Sequence, residues 1–195
     1  MAISTPRQII LVRHGRPQHS NPGWCTPAEM KGWIENYNRA EVARSELPPD
    51  LIEQARHCGT VVSSSVSRCV QSRQYLVSER PCESDELFAE AHLPYLDWAW
   101  PRAPSLLWRF LFRLAWFAGF ARHTEAVAAS DRRARVAADR LIELAERHGS
   151  VMLIGHGVMN ILIARHLRGR GWKGPTLLYL HDYWQVSSYR EDVRR

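Results

Sequence analysis

Three short segments concentrate side chains that can handle an anion. Arg13-His14-Gly15 follows the apolar, β-branched run QIILVR, Gly155-His156-Gly157 follows SVMLI, and Arg68 stands in SSSVSRCVQS over residues 63–72. The third segment follows a predicted strand and opens a predicted helix, so Arg68 falls in a first helical turn. Unpaired backbone N–H groups already favour an anion there, and a guanidinium adds a charged fork. Each segment alone has an ordinary reading: an exposed turn, a core histidine in a tight turn, a solvated arginine. Taken together, in this order and each at a strand end, they point to one site.

The elements that must position these residues are readable from periodicity. Apolar runs predict strands over Gln8–Arg13, Thr60–Ser64, 150–154, 176–180 and 184–189. Helical spacing predicts helices around 28–43, 66–79, 131–148 and 156–167. The clearest is 131–148, where Ala134, Ala137, Leu141, Leu144 and Ala145 share a face and Gly149 stops the helix. Residues 18–50 read as irregular apart from one helix, with Pro17, Pro22, Pro27, Pro48 and Pro49 interrupting them. Alternating strands and helices imply an α/β fold: a three-layer α/β/α sandwich with a mostly parallel sheet and helices on both faces. Ligands of such sheets bind beyond the carboxyl ends of the strands, where His14 and His156 fall. One domain over 1–195 accommodates the chain.

The chain has a formal net charge of +6, almost all of the positive charge coming from arginine. That favours anionic ligands in general: phosphate esters, nucleic acid or an acidic membrane surface. No base-stacking motif or basic stripe supports nucleic acid as the partner. Cys25, Cys58, Cys69 and Cys82 match no zinc or redox spacing, and the N-terminal residues lack the pattern of an export signal. The expectation is a cytoplasmic protein with reduced thiols.

The same three segments resemble the histidine phosphatase (phosphoglycerate mutase-like) superfamily. Leu11–Gly15 stands for its L-V-R-H-G, 63–72 for its S-S-P-L-x-R-A-x-Q-T-like segment, and 152–157 for its hydrophobic strand with (S/G)-H-G. The resemblance spans roughly 8–90 and 130–190. It implies that His14 is a nucleophile that takes a phosphoryl group, and that Arg13, Arg68 and His156 bind its oxygens. Two guanidiniums and two imidazoles can surround such a group and neutralise its transition-state charge. Neighbouring cations disfavour protonation of His14 and so keep it nucleophilic.

The family also places a proton donor in a D-E-x-L-x-E-like segment. Here that stretch is Asp85-Glu86-Leu87-Phe88-Ala89-Glu90, which makes Glu90 the acid, with Glu83, Asp85 and Glu86 as competitors. The departures from the pattern are Pro17 and Ser20 where the family often has Thr or Ser and Asn, Ser65 for Pro, a missing Gly around 52–55, and Ala91 where mutases have Arg. These weaken a mutase reading and leave the hydrolase core intact. The resemblance therefore implies a metal-independent phosphatase of phosphorylated small molecules, with no cofactor and no bound metal. The alternatives are a phosphoglycerate mutase-type transferase, a phosphohistidine protein phosphatase and a catalytically quiet phospho-ligand-binding protein.

The stretch 101–122, PRAPSLLWRFLFRLAWFAGFAR, is the richest apolar run. It is too short and too charged in its middle, at Arg109 and Arg113, for an integral membrane span. Residues 91–125 are expected to form a helical cap inserted in the domain, with Arg102, Arg109 or Arg113 facing substrate. A homodimer helix and a membrane-surface helix remain open beside the lid.

Overall fold

A computed structural model describes residues 6–44, 47–78, 83–176 and 182–192. Its centre is a five-stranded sheet. The strands are β1 (Gln8–Arg13), β3 (Thr60–Ser64), β4 (Ser84–Asp85), β6 (Ser150–Gly155) and β7 (Val186–Arg190), in the order β4-β3-β6-β1-β7. All neighbours are parallel except β7, which runs antiparallel to β1. A separate two-stranded ladder joins β2 (Trp24–Cys25) to β5 (Ala103–Pro104).

Period-two alternation sends the strand side chains to two opposite cores. Ile9, Leu11, Val62, Val151 and Leu153 pack on one side, under α5 (Val127–His148) and α6 (Gly157–Gly169). Ile10, Val12, Val61, Met152 and Ile154 pack on the other, under α2 (Pro49–His57) and α3 (Ser67–Leu76). Both faces of the sheet are covered, which is why its inner strands are apolar at nearly every position. The three-layer α/β/α sandwich is the architecture observed. On α5 the expected face, Ala134, Ala137, Leu141, Leu144 and Ala145, is buried, and Gly149 ends the helix at φ +77.

A third cluster holds the remaining helices. Cys25 and Met30 pack against Trp108 and Phe112, joining α1 (Pro27–Arg39) to α4 (Ser105–Phe117). A reciprocal capping box fixes the start of α1: Thr26 Oγ1 accepts from Glu29 N–H, and Glu29 Oε2 accepts from Thr26 N–H.

Several boundaries differ from expectation, for local reasons. Helix α1 stops at Arg39 rather than 43 because the next residues pair with the loop after β1: Gln18 N–H donates to Glu41 O and Ala43 N–H to Arg16 O. Helix α2 was not anticipated, and its first two residues fall in the stretch read as irregular. Its Pro49 occupies the first turn, where proline lacks nothing the helix needs, and Leu51 and Ala55 are buried one turn apart. Helix α5 begins at Val127, a turn before the predicted 131, and β7 begins at Val186 rather than 184. Apart from Thr176, the strand expected over 176–180 lies outside the described residues, as does Cys82.

Candidate active site

Strands β1 and β6 lie side by side in parallel register, Arg13 opposite Gly155. The residues that follow are therefore neighbours: His14 N–H donates to Gly155 O, and the His14 and His156 rings stand 5.3 Å apart. Strand β3 flanks β6, and the turn after it leads into α3, so Arg68 enters from its first turn. His156 sits at the N-cap of α6. All three side chains are buried.

Arg68 binds them together. Its Nε–H donates to His14 Nε2 at 3.1 Å, Nη1 donates to Asn38 Oδ1 at 2.8 Å, and Nη2 donates to His156 Nδ1 at 3.1 Å. A guanidinium has five N–H donors, so two remain for a ligand. The carbonyl of Gly15 can only accept, so its 2.8 Å bond places the His14 proton on Nδ1 and leaves a lone pair on Nε2. Arg68 lacks an acceptor, so neutral His156 carries its proton on Nε2, within reach of Ser64 Oγ at 3.0 Å. Burial and then Arg68 hold both histidines well below their ordinary pKa; for His14 the Gly15 carbonyl opposes the shift and Arg13 adds to it. The adjacent Cys69 thiol is pushed up to about 12 by burial, which makes it an inert neighbour.

The loop carrying His14 is fastened from α3. Ser72 Oγ accepts from Gly15 N–H at 2.9 Å and donates to Arg68 O at 2.6 Å. Gly15 is a close approach: a methyl there would overlap Trp184 and Val42. The Arg13 guanidinium lies 4.6 Å from the centre of the Tyr183 ring, and the Arg68 guanidinium 5.2 Å from that of Tyr37.

Two adjoining cavities meet this cluster. A chamber of about 110 Å³ is lined by Arg13, His14, Tyr37, Asn38, Arg68 and Glu90. A cleft of about 810 Å³ runs between α4 and α6 and shares Arg13, Glu90, Arg109 and Arg113 with the chamber. His156 lines neither; it lies behind Arg68.

Of the four candidate acids, Glu90 alone borders these cavities. Its Oε1 accepts from Ala91 N–H at 3.0 Å and from Met159 N–H, in the first turn of α6, at 3.1 Å. The short segment around it is gripped on both sides. Arg133 donates to Leu87 O and Ala89 O, and Arg113 to Ala91 O. Glu83 pairs with Arg140 on the surface, Asp85 caps the turn at Leu87, and Glu86 is exposed.

Of the arginines expected to face substrate, Arg109 and Arg113 do border the cavities. Arg102 does not: it donates to Trp24 O and pairs with Glu29. The aromatic residues of α4 divide. Trp108, Phe112 and Trp116 are buried, whereas Phe110 and Phe117 line the cleft. No helix among the described residues is long and apolar enough to cross a membrane.

Sequence reasoning overlooked Asn38, Tyr37 and Tyr183. Nothing local marks them, since they reach the site through a helix in the proline-rich stretch and a segment near the C-terminus. Ser64 and Ser72 lie inside the 63–72 motif, where only the arginine carries a charge that signals an anion.

No protein-family model and no curated protein matches the sequence. Solved structures do match its fold. A mycobacterial glucosyl-3-phosphoglycerate phosphatase is 19% identical with a TM-score of 0.55, over 84% of this chain and 80% of its own. A protein titled mycobacterial hydrolase 1 is 18% identical with a TM-score of 0.60, over 93% and 88%. A phosphoglycerate mutase from Bacillus anthracis is 15% identical with a TM-score of 0.56, over 95% and 88%. The chain has the histidine phosphatase, or phosphoglycerate mutase-like, fold.

Proposed function

We propose that this chain is a phosphatase that passes the phosphoryl group of a monoester through His14 to water. The observation that carries the reading is the state of His14. Its Nδ1–H is committed to Gly15 O, and its Nε2 lone pair sits beside the Arg68 guanidinium in a buried chamber. A ring held neutral, with a fixed tautomer and a cation beside the attacking atom, suits attack on phosphorus.

In this mechanism an ester oxyanion takes Arg68's donors away from the imidazole, and Arg13 neutralises charge from the other side. His14 Nε2 forms an N–P bond as the P–O ester bond breaks, and the departing oxygen takes a proton from Glu90. Water then attacks phosphorus, yields its proton to the Glu90 carboxylate, and phosphate leaves His14. His156 steadies the Arg68 fork, and its own contact with the phosphoryl group requires that fork to move toward the ligand. Residues 91–125 act as a lid over the cleft. Ala91 after Glu90 leaves no second phosphate clamp next to the acid, which favours hydrolysis over return of the phosphoryl group.

Positive charge in this mechanism comes from arginine, so turnover is expected to survive a strong chelator. The decisive experiment is H14A. It should abolish hydrolysis of para-nitrophenyl phosphate, and mass spectrometry after a non-acidic quench should find phosphate on His14 of the wild type. Undiminished activity in H14A would end the reading.

A further inference from the structure

The cleft beside the chamber has two apolar walls. Leu106, Phe110 and Phe117 line it from one face of α4, and Val158, Ile161 and Leu162 line it from one face of α6. Arg109 and Arg113 border both cavities, whereas those α4 apolar residues border the cleft only. Both arginines are engaged: Arg109 lies 5.4 Å from the centre of the Trp33 ring, and Arg113 donates to Ala91 O. One turn beyond Ile161 on α6, Arg165, which also lines the cleft, is paired with Asp131. The cleft's other polar groups, Arg13 and Arg16 at the end of β1 and Asp182 and Tyr183 before β7, lie off these two helices, so the facing walls of α4 and α6 are mainly apolar.

Glu90 stands on the boundary between chamber and cleft. If it protonates the ester oxygen, that oxygen lies at the boundary, and whatever the oxygen carries extends into the cleft. The cleft's volume, about 810 Å³, is that of a site for a sizeable ligand. Leu106, Phe110 and Phe117 are 62%, 59% and 55% exposed, so apolar walls stand in water until a ligand covers them.

Building on the phosphatase reading, we infer that the substrate is a phosphate monoester of a large apolar alcohol: a single amphiphile with its head in the chamber and its tail between α4 and α6. A polar phosphate ester would leave these apolar walls wet.

The test is kcat/KM along ethyl, butyl, hexyl, octyl and decyl phosphate, each kept monomeric, with glucose phosphate as the polar comparison. The leaving oxygen is chemically alike across the alkyl series, so chain length reports binding. Specificity should rise with length, by up to about fourfold per methylene, and then level off when the cleft is full. The double variant F110S/F117S should flatten that rise; both positions are exposed, and unchanged thermal unfolding would verify the fold. A flat series, or a better rate with glucose phosphate, overturns the inference even if para-nitrophenyl phosphate is hydrolysed through His14. Should no ester be hydrolysed, the phosphatase reading fails, and calorimetry with alkyl phosphonates decides the cleft separately. Affinity that tightens with chain length supports the ligand class, and affinity independent of length overturns it.

Discussion

Arg68 donates its Nε–H to His14 Nε2 at 3.1 Å, onto the lone pair proposed to attack phosphorus. The contact keeps a cation against a neutral imidazole, and burial adds to the same effect. A histidine lowered in this way stays unprotonated in the range where a free one titrates. The acid limb of kcat/KM should therefore lie below the ordinary value of 6.5. Removing the cation in R68Q should move that limb upward while lowering the rate about a hundredfold or more. Burial, the larger cause, stays in place, so the limb should still fall short of 6.5. A wild-type limb centred on the ordinary histidine value would show that His14 is not the group being titrated.

The same shifts predict how stability depends on pH. Below 6.5 the unfolded chain takes up protons at residues 14 and 156, and the folded chain does not. Stability is thus fully present above that value and falls as pH drops through it, by about 1.4 kcal/mol per pH unit for each histidine. The carboxylates held low by partners, Asp131 and Glu125 among them, lose their contribution only at lower pH. Urea unfolding at successive pH values should show a first decline that begins near 6.5. A profile flat down to the carboxylate range would contradict the buried neutral pair.

Glu90 has a structural task beside the proposed chemical one, because Oε1 holds Ala91 N–H and Met159 N–H. The carboxamide of E90Q can accept both bonds and loses only the charge at the start of α6, a cost below about 1 kcal/mol. E90A also loses the cap, about 0.5–2 kcal/mol. Hydrolysis of alkyl phosphates should fall about a hundred- to ten-thousandfold in E90Q, and that of para-nitrophenyl phosphate much less. Equal losses on both substrates would remove the acid role.

Ser72 links the loop of His14, the proposed nucleophile, to the helix carrying Arg68. In S72A the buried Gly15 N–H loses its acceptor, at a cost of about 1–3 kcal/mol. The Gly15 carbonyl that sets the His14 tautomer then loses its anchor, so kcat should drop along with the urea midpoint. A variant as stable as the wild type would mean that this bond contributes nothing.

Some of this site is legible in sequence, and the reason differs by residue. His14 and His156 end apolar strands, and Arg68 opens a helix, so periodicity alone places them at one edge of a sheet. Glu90 needs the family pattern, because its segment has no periodicity. Asn38 and Tyr37 fall in a helix that is legible, but nothing local shows that its last turn meets Arg68 across the fold. Pro48 and Pro49 read as breakers, although Pro49 starts α2. The bridge between Pro17 and Val42 that shortens α1 is a tertiary pairing, and no local propensity announces it.

The two arginines of α4 have the same sequence signature, one turn apart, and opposite tasks in the structure. Arg109 lies over the Trp33 ring at the shared rim of chamber and cleft. Arg113 donates from Nη1 and Nη2 to Ala91 O, both at 3.1 Å, one residue after Glu90, while Arg133 grips Ala89 O one residue before it. Arg109 can help only by drawing in an anion, so R109A should raise KM for anionic esters and leave kcat nearly unchanged. In the proposed mechanism Arg113 acts on Glu90 through the backbone, as a positioning residue. R113A should lower kcat, most strongly on poor leaving groups, the pattern expected of E90Q. R113K can still reach the carbonyl with one donor and should recover part of the loss. If R113A instead changes KM alone and equally for good and poor leaving groups, Arg113 is a second rim cation, and the acid is held by Arg133 and α6 without it.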